Sequence, residues 1–238
     1  MKIAADLHVH TISSGHAYST IEEYVARAKK IGLKGFAVTD HGPAMPGAPH
    51  AYHFQNMRMI PEKMNGVRIY RGIESNIISA DGDIDLPEET FTRLEVVMVA
   101  MHPRCGYPDH GEERNTQVLL KALSKNPRIN VIAHPGNPKY AIKIRETVAA
   151  LKNRGIALEI NNSSFTSRVG SWERCLEFAR EIKRQDGRVI LTTDSHISTM
   201  LGVIDKSLQI VKEAGLSEKH VINTSLKKIE DFIAGKSV

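Results

Sequence analysis

The chain is poor in the residues that announce several common architectures. It has only two cysteines in 238 residues, Cys105 and Cys175. Two thiols build neither a disulfide framework nor a thiolate cage for structural zinc. They read as reduced thiols, which points to a cytoplasmic protein. Aromatic residues make up 5%, and the lysines and arginines are scattered rather than blocked. A dedicated nucleic-acid surface is therefore not expected, and the net charge of +5 does no more than favour an anionic substrate weakly. No run of about 18 apolar residues occurs, so no transmembrane helix is predicted. The longest such stretch is "VVMVAM" at 96–101. The start, "MKIAAD", reaches Asp6 too early for the apolar segment of a secretory signal. No Gly-x-Gly-x-x-Gly turn follows the first apolar run, which speaks against dinucleotide binding. Linkers and low-complexity tracts are also missing, so residues 1–238 are expected to form a single domain.

What is present is an alternation. Seven apolar runs read as buried strands: "IAADLHVH", "GFAVTDH", "VRIYRGIES", "EVVMVAMH", "INVIAHP", "IALEINNS" and "RVILTTDSH". Helical patterns separate them. In "STIEEYVARAKKIG", Thr20 and Glu23 form a capping signal, Ile21, Tyr24, Val25, Ala28 and Ile31 recur at helical spacing, and Gly32 ends the segment. Similar patterns run through "NTQVLLKALSKN", "IRETVAALKNRG", "SWERCLEFAREIKRQDG", "GVIDKSLQIVKEAG" and the tail "SLKKIEDFIAG". Strands alternating with helices imply a parallel sheet. Seven units imply an α/β fold that closes, or nearly closes, into a barrel; an open doubly wound sheet is the alternative.

The chain also holds eleven histidines, three of them within "HVHTISSGH". Most fall where strands end, and the ends "DLHVH", "VTDH", "GIES", "VAMH", "IAHP" and "TTDSH" each carry a His, Asp or Glu. In a parallel barrel those ends meet at one rim, where active sites are built. His8, His10, His41, Glu74, His102, His134, Asp194 and His196 would converge there, with His16 in the first loop. His8 and His10 are two apart and share a strand face, as do Asp194 and His196. So many imidazoles beside carboxylates are costly unless divalent cations compensate. Nitrogen donors with a carboxylate minority suit zinc first, with manganese or iron able to take its place. Nine ligands exceed one tetrahedral ion and suffice for two or three if a carboxylate bridges.

At these residues the sequence resembles the polymerase and histidinol phosphatase (PHP) family of metal-dependent phosphoesterases. "DLHVHT", "TDHG", "IES", "AHPGNP" and "TDSH" carry the resemblance. "GHAYST", "DHGP", "APH", "RGIE", "HPGNPKY" and "LEINNSSF" bring it nearest to the stand-alone YcdX-type phosphatases. The resemblance implies a distorted seven-stranded (β/α)7 barrel and three zinc-type ions per chain. His8, His10, Glu74 and Asp194 would hold one ion; His16, His41 and His196 a second; Glu74, His102 and His134 the third. The implied activity is hydrolysis of a phosphomonoester by a hydroxide activated between metals. The partner is then a small phosphorylated molecule rather than a nucleic acid or a membrane, and the sequence leaves a homo-oligomer open.

Around that centre, Arg71, Lys139 and Arg168 are candidates for holding phosphate. Asp6, two residues before His8, is a candidate for orienting a ligand histidine, with a strand-start surface carboxylate as the alternative. Asn161 and Asn162 are placed in or near the site. His50, His53, His110 and His220 are left outside the ligand set. Competing readings are a phosphodiesterase or exonuclease, a histidinol phosphatase, and a non-catalytic metal-binding regulator. An amidohydrolase would also use a His-x-His pair, but those barrels add a mid-chain strand lysine that the fourth and fifth strands lack.

Overall fold

The structure is a computed structural model that describes residues 1–87, 90 and 93–235. All seven expected strands form: β1 (Ala5–Val9), β2 (Gly35–Val38), β4 (Val67–Asn76), β5 (Val96–Ala100), β6 (Val131–Ile132), β7 (Ala157–Asn161) and β8 (Val189–Thr192). They pair in parallel in the order β1-β2-β4-β5-β6-β7-β8. A two-residue strand, β3 (Lys63–Met64), adds an antiparallel edge to the start of β4. The result is a nearly closed seven-stranded α/β barrel, as the alternation implied.

Helices α1 (Ile21–Ile31), α3 (Gly111–Lys125), α4 (Ile144–Arg154), α6 (Ser171–Gln185), α7 (Asp205–Ala214) and α8 (Leu226–Ile233) lie in the segments with helical periodicity. Thr20 and Glu23 form the expected reciprocal cap of α1, and Gly32 ends that helix at φ 74°, where a side chain would be strained. Two short helices, α2 (Ala51–Asn56) and α5 (Ser164–Ser167), follow β2 and β7 and were not anticipated. Six and four residues are too few for a periodic signal.

Alternation along the strands sorts two cores. Ala5, Leu7, Ala37, Tyr70, Met98, Val131, Ala157 and Ile190 meet inside the barrel, and Ile229 and Phe232 of α8 pack onto them. Val9, Phe36, Ile69, Ile73, Val97, Val99, Leu158 and Leu191 face outward against the helices. One irregularity matters. The pairing of β1 with β2 shifts register between Asp6 and Val9. Such a bulge re-aims the strand. Leu7 lies inside before it, and Val9 lies outside after it.

The seam between β1 and β8 is closed by side chains as much as by backbone. Asn223 donates to the carbonyls of Ala5 and Leu191 and accepts from the N–H of Leu191. The Asp6 carboxylate accepts from the Thr193 backbone and hydroxyl and from the Gly202 N–H. Asp6 is fully buried, and burial pushes its pKa up to about 6. It also accepts from the His8 backbone N–H at 3.4 Å but meets no histidine ring, because the bulge separates its strand face from that of the His8 side chain. The expectation that it orients a ligand, and its surface alternative, both give way to a seam-closing role. Among the described residues no helix is long and apolar enough to cross a membrane.

Candidate metal centre

The rim where the strands end gathers the candidate ligands. Glu74 is wholly buried on β4 and faces inward with Tyr70 and Gly72. Its Oε1 lies 2.7 Å from His134 Nε2 and 3.4 Å from His102 Nε2. Its Oε2 lies 2.8 Å from His41 Nδ1 and 3.5 Å from the Nε2 atoms of His8 and His10. One carboxylate thus touches five imidazoles. Asp194 Oδ1 is 3.1 Å from His10 Nε2 and 3.5 Å from His8 Nε2. His16 joins through its ring, whose centroid is 5.0 Å from those of His41 and His196.

Two of these positions depend on backbone that side chains rarely adopt. His134 has φ 31° and Asp194 φ 54°. Left-handed conformations of non-glycine residues cost energy and cluster at functional sites. Alternation on β6 would send His134 outward, since Val131 and Ala133 face in. The kink turns it back into the cluster. β8 itself ends at Thr192, so Asp194 and His196 come from the loop beyond it rather than from one strand face. His196 stays near Asp194 by bonding its Nδ1 to the Asp194 carbonyl at 2.9 Å.

Three candidate-ligand imidazoles are gripped by the nitrogen that faces away from the cluster. His8 Nδ1 lies 2.5 Å from Glu159 Oε1. His10 Nδ1 donates to Ser14 Oγ at 3.1 Å, and Ser14 in turn donates to Asp40 at 2.7 Å. His102 Nδ1 donates to Asn76 Oδ1 at 2.7 Å, and the Asn76 amide donates to Asp85. Each contact fixes the ring and leaves Nε2 aimed inward, as metal-ligating histidines require. Glu159 also accepts from the Thr192 hydroxyl and the His134 N–H, both at 2.5 Å.

Glu159, Asn76, Asp40, Ser14 and Asp85 escaped the sequence reading. For Glu159 a signal existed: alternation puts it inside β7, between Ala157 and Asn161, in an otherwise apolar run.

The electrostatics describe a centre short of positive charge. Burial opposes the charge of Glu74, but His102, His8 and His41 outweigh it and hold its pKa well below the ordinary range. Asp194 is likewise held low against burial, by His8, His10 and Arg168. Burial, with His41 and His196 as like charges, brings His10 down to about 3. Burial and Arg168 bring His134 down to about 4. Only His8 is driven well above its usual value, where Glu159, Asp194 and Glu74 overcome burial. Charged Glu74 and Asp194 and neutral His10 and His134 are the protonation states that metal binding needs, whereas His8 would give up its proton to a metal.

The test of fit lies in atoms left without a well-formed hydrogen bond. His41 Nδ1 and Glu74 Oε2, 2.8 Å apart, and Asp194 Oδ1, 3.1 Å from His10 Nε2, are buried and in ion-pair contact, yet none makes such a bond. The Nε2 atoms of His8 and His10 face each other at 3.0 Å, and those of His102 and His134 at 3.2 Å. Such groups are costly unless a cation lies among them. Three sets offer converging donors: His8, His10 and Asp194; His10, His41 and His196; His41, Glu74 and His102. These nitrogen and oxygen donors fit zinc, manganese or iron.

Of the phosphate candidates, only Arg168 reaches this centre. Its guanidinium donates to Asp194 Oδ2 and Ser164 Oγ, both at 3.1 Å, and it lines the open cavity over the cluster. Arg71 is three residues before Glu74, an odd offset that sends it to the opposite face, where Glu62 and Glu95 pair with it. Lys139 is exposed on the turn Pro138–Tyr140, outside the cavity. Asn161 donates to Glu159 and Asp194, inside the site. Asn162 instead accepts from the N–H groups of Lys206 and Ser207 and caps α7. His53 lies 3.3 Å from Asp40, behind the ligands, while His50 caps α2.

A parallel barrel with buried histidines and carboxylates gathered at one rim defines a metal-site enzyme scaffold. The chain belongs to the PHP domain family, whose pattern matches residues 6–163. A probable phosphatase of Acetivibrio thermocellus is 46% identical over 236 residues, covering 99% of this chain and 97% of its own. A probable phosphatase of Proteus mirabilis is 44% identical over 230 residues, covering 96% and 93%. Among solved structures, the histidinol phosphate phosphatase of Lactococcus lactis, complexed with zinc, L-histidinol and phosphate, superposes with a TM-score of 0.65. It is 20% identical, the match covers 90% of this chain and 94% of that one, and the likeness is one of fold. The resemblance read from the motifs therefore holds.

Proposed function

We propose that the chain is a metal-dependent phosphatase that hydrolyses small phosphoric monoesters at a site for three zinc-type ions. Its full-length relatives are named probable phosphatases, and the phosphatase reading follows them. The observation that carries the metal reading is the set of buried atoms without a well-formed hydrogen bond, Glu74 Oε2, Asp194 Oδ1 and His41 Nδ1, amid imidazoles whose far nitrogens are already anchored.

The allotment of ligands follows the family resemblance. His8, His10, Glu74 and Asp194 would hold one ion, His16, His41 and His196 a second, and Glu74, His102 and His134 the third. The contact of Glu74 with five imidazoles supports its bridging role. When bound, such ions lower the pKa of water toward neutrality and neutralise charge on phosphoryl oxygens.

The chain's own residues supply the rest. Glu159, Ser14 with Asp40, and Asn76 with Asp85 hold the ligand rings, so the donor atoms are in position before substrate arrives. Arg168 supplies fixed N–H donors at the cavity wall for a phosphoryl oxygen. Ser195 is not a nucleophile: its hydroxyl donates to the Ile197 carbonyl and its backbone bridges β1. The cavity, about 410 Å³, suits a small ester. The two free, buried thiols fit a reducing compartment such as the cytoplasm.

The test is a panel assay on protein loaded with zinc or manganese. Phosphate release from monoesters, its loss with chelator and its return with metal are expected. Cleavage of a labelled oligonucleotide with no monoester turnover would replace this reading with a nuclease. Metal-loaded protein that hydrolyses nothing would make it a binding protein.

A further inference from the structure

The cavity above the cluster is lined by candidate ligand side chains and Arg168 and also by three apolar side chains: Met45 from the loop after β2, which lies against Cys105, and Ile197 and Met200 from the loop after β8. Ile197 and Met200 are each 41% exposed, and Tyr18, whose N–H donates to the His196 carbonyl, is 73% exposed beside them. Apolar side chains left open at the mouth of a concave site mark where a ligand's apolar part is received.

The hydroxyls that line the same cavity are committed elsewhere. Ser163 donates to the Thr193 carbonyl, and Thr166 and Ser167 both donate to the Ser163 carbonyl. These three have no proton left to give a sugar or polyol oxygen and can act toward it only as acceptors. A hydroxyl-rich group held there would give up water for thioether and aliphatic surface, which is unfavourable.

We infer that the alcohol part of the ester is an apolar or aromatic group seated on Met45, Ile197 and Met200, and not a sugar or polyol. The inference rests on the phosphatase reading above. In the reaction, the ester P–O bond breaks, water adds to phosphorus, and the freed alcohol takes up a proton as it leaves past these apolar side chains.

Two primary alkyl esters test it with matched leaving-group chemistry: 3-phenylpropyl phosphate and glycerol 3-phosphate. The metal-loaded protein is expected to favour the phenylpropyl ester about tenfold or more in kcat/KM. Met200→Ser is expected to cut that ratio about fivefold, with Met200→Leu restoring it and metal content equal in all three. Equal turnover of the two esters, preference for the glycerol ester, or a ratio untouched by Met200→Ser would overturn the inference while leaving the phosphatase reading intact. Phosphate from neither ester, nor from p-nitrophenyl phosphate, would overturn both.

Discussion

The two halves of the barrel interior are built from the same strands to opposite ends. Toward the strand starts, Leu7, Tyr70, Met98 and Ile190 fill the space, and α8 closes it with Ile229 and Phe232. Toward the strand ends, the inward positions become Glu74, His102, Glu159 and Asp194, with atoms lacking a well-formed hydrogen bond among them. One half gains free energy by burial. The other spends it on desolvated, crowded donors and recovers it only when cations bind. Stability and chemistry are therefore separable along the barrel axis, and each half should fail in its own way.

The largest expected effect is at the bridge. Glu74→Ala should lower phosphatase activity by about a thousandfold or more, with loss of at least one ion per chain by elemental analysis. A fully loaded, active variant would remove the bridging role. Metal removal acts on the same half: chelation should abolish turnover and lower the melting temperature, and metal should restore both. Glu159→Gln keeps the shape but weakens the grip on His8. Metal affinity should fall about 10–100-fold in a competition titration, while circular dichroism stays unchanged.

In the other half the pattern should invert. Met98→Ala should cost about 2–5 kcal/mol in denaturant unfolding, with metal content preserved. The smallest contrast separates two arginines. Arg168→Ala should raise KM about tenfold, whereas Arg71→Ala, on the outer face with Glu62 and Glu95, should change activity less than twofold.

The same division explains what was legible in the sequence. Buried parallel strands write themselves as apolar runs, so all seven were readable, and the residues at their ends followed from barrel topology. The groups behind the ligands were harder. Asp40 and Asn76 sit beside or within a recognised motif, yet their work is to hold Ser14 and His102, a pairing that only tertiary contact creates. Glu159 obeyed the alternation but lay mid-strand, away from the ends that attract notice. Arg71 had the wrong parity for the site, which counting from Glu74 reveals. Asp6 looked right by parity and was displaced by a bulge, which two-residue periodicity does not encode. The left-handed turns at His134 and Asp194 belong to the same class, since His and Asp tolerate a positive φ better than most residues but adopt it at only a few of their positions.

The proposed function requires the polar half of the barrel to hold several divalent cations. Elemental analysis of chain purified without chelator and saturated with zinc or manganese tests it most directly. Three ions per chain are predicted, falling in Glu74→Ala. Fewer than two in the saturated native chain would contradict the account.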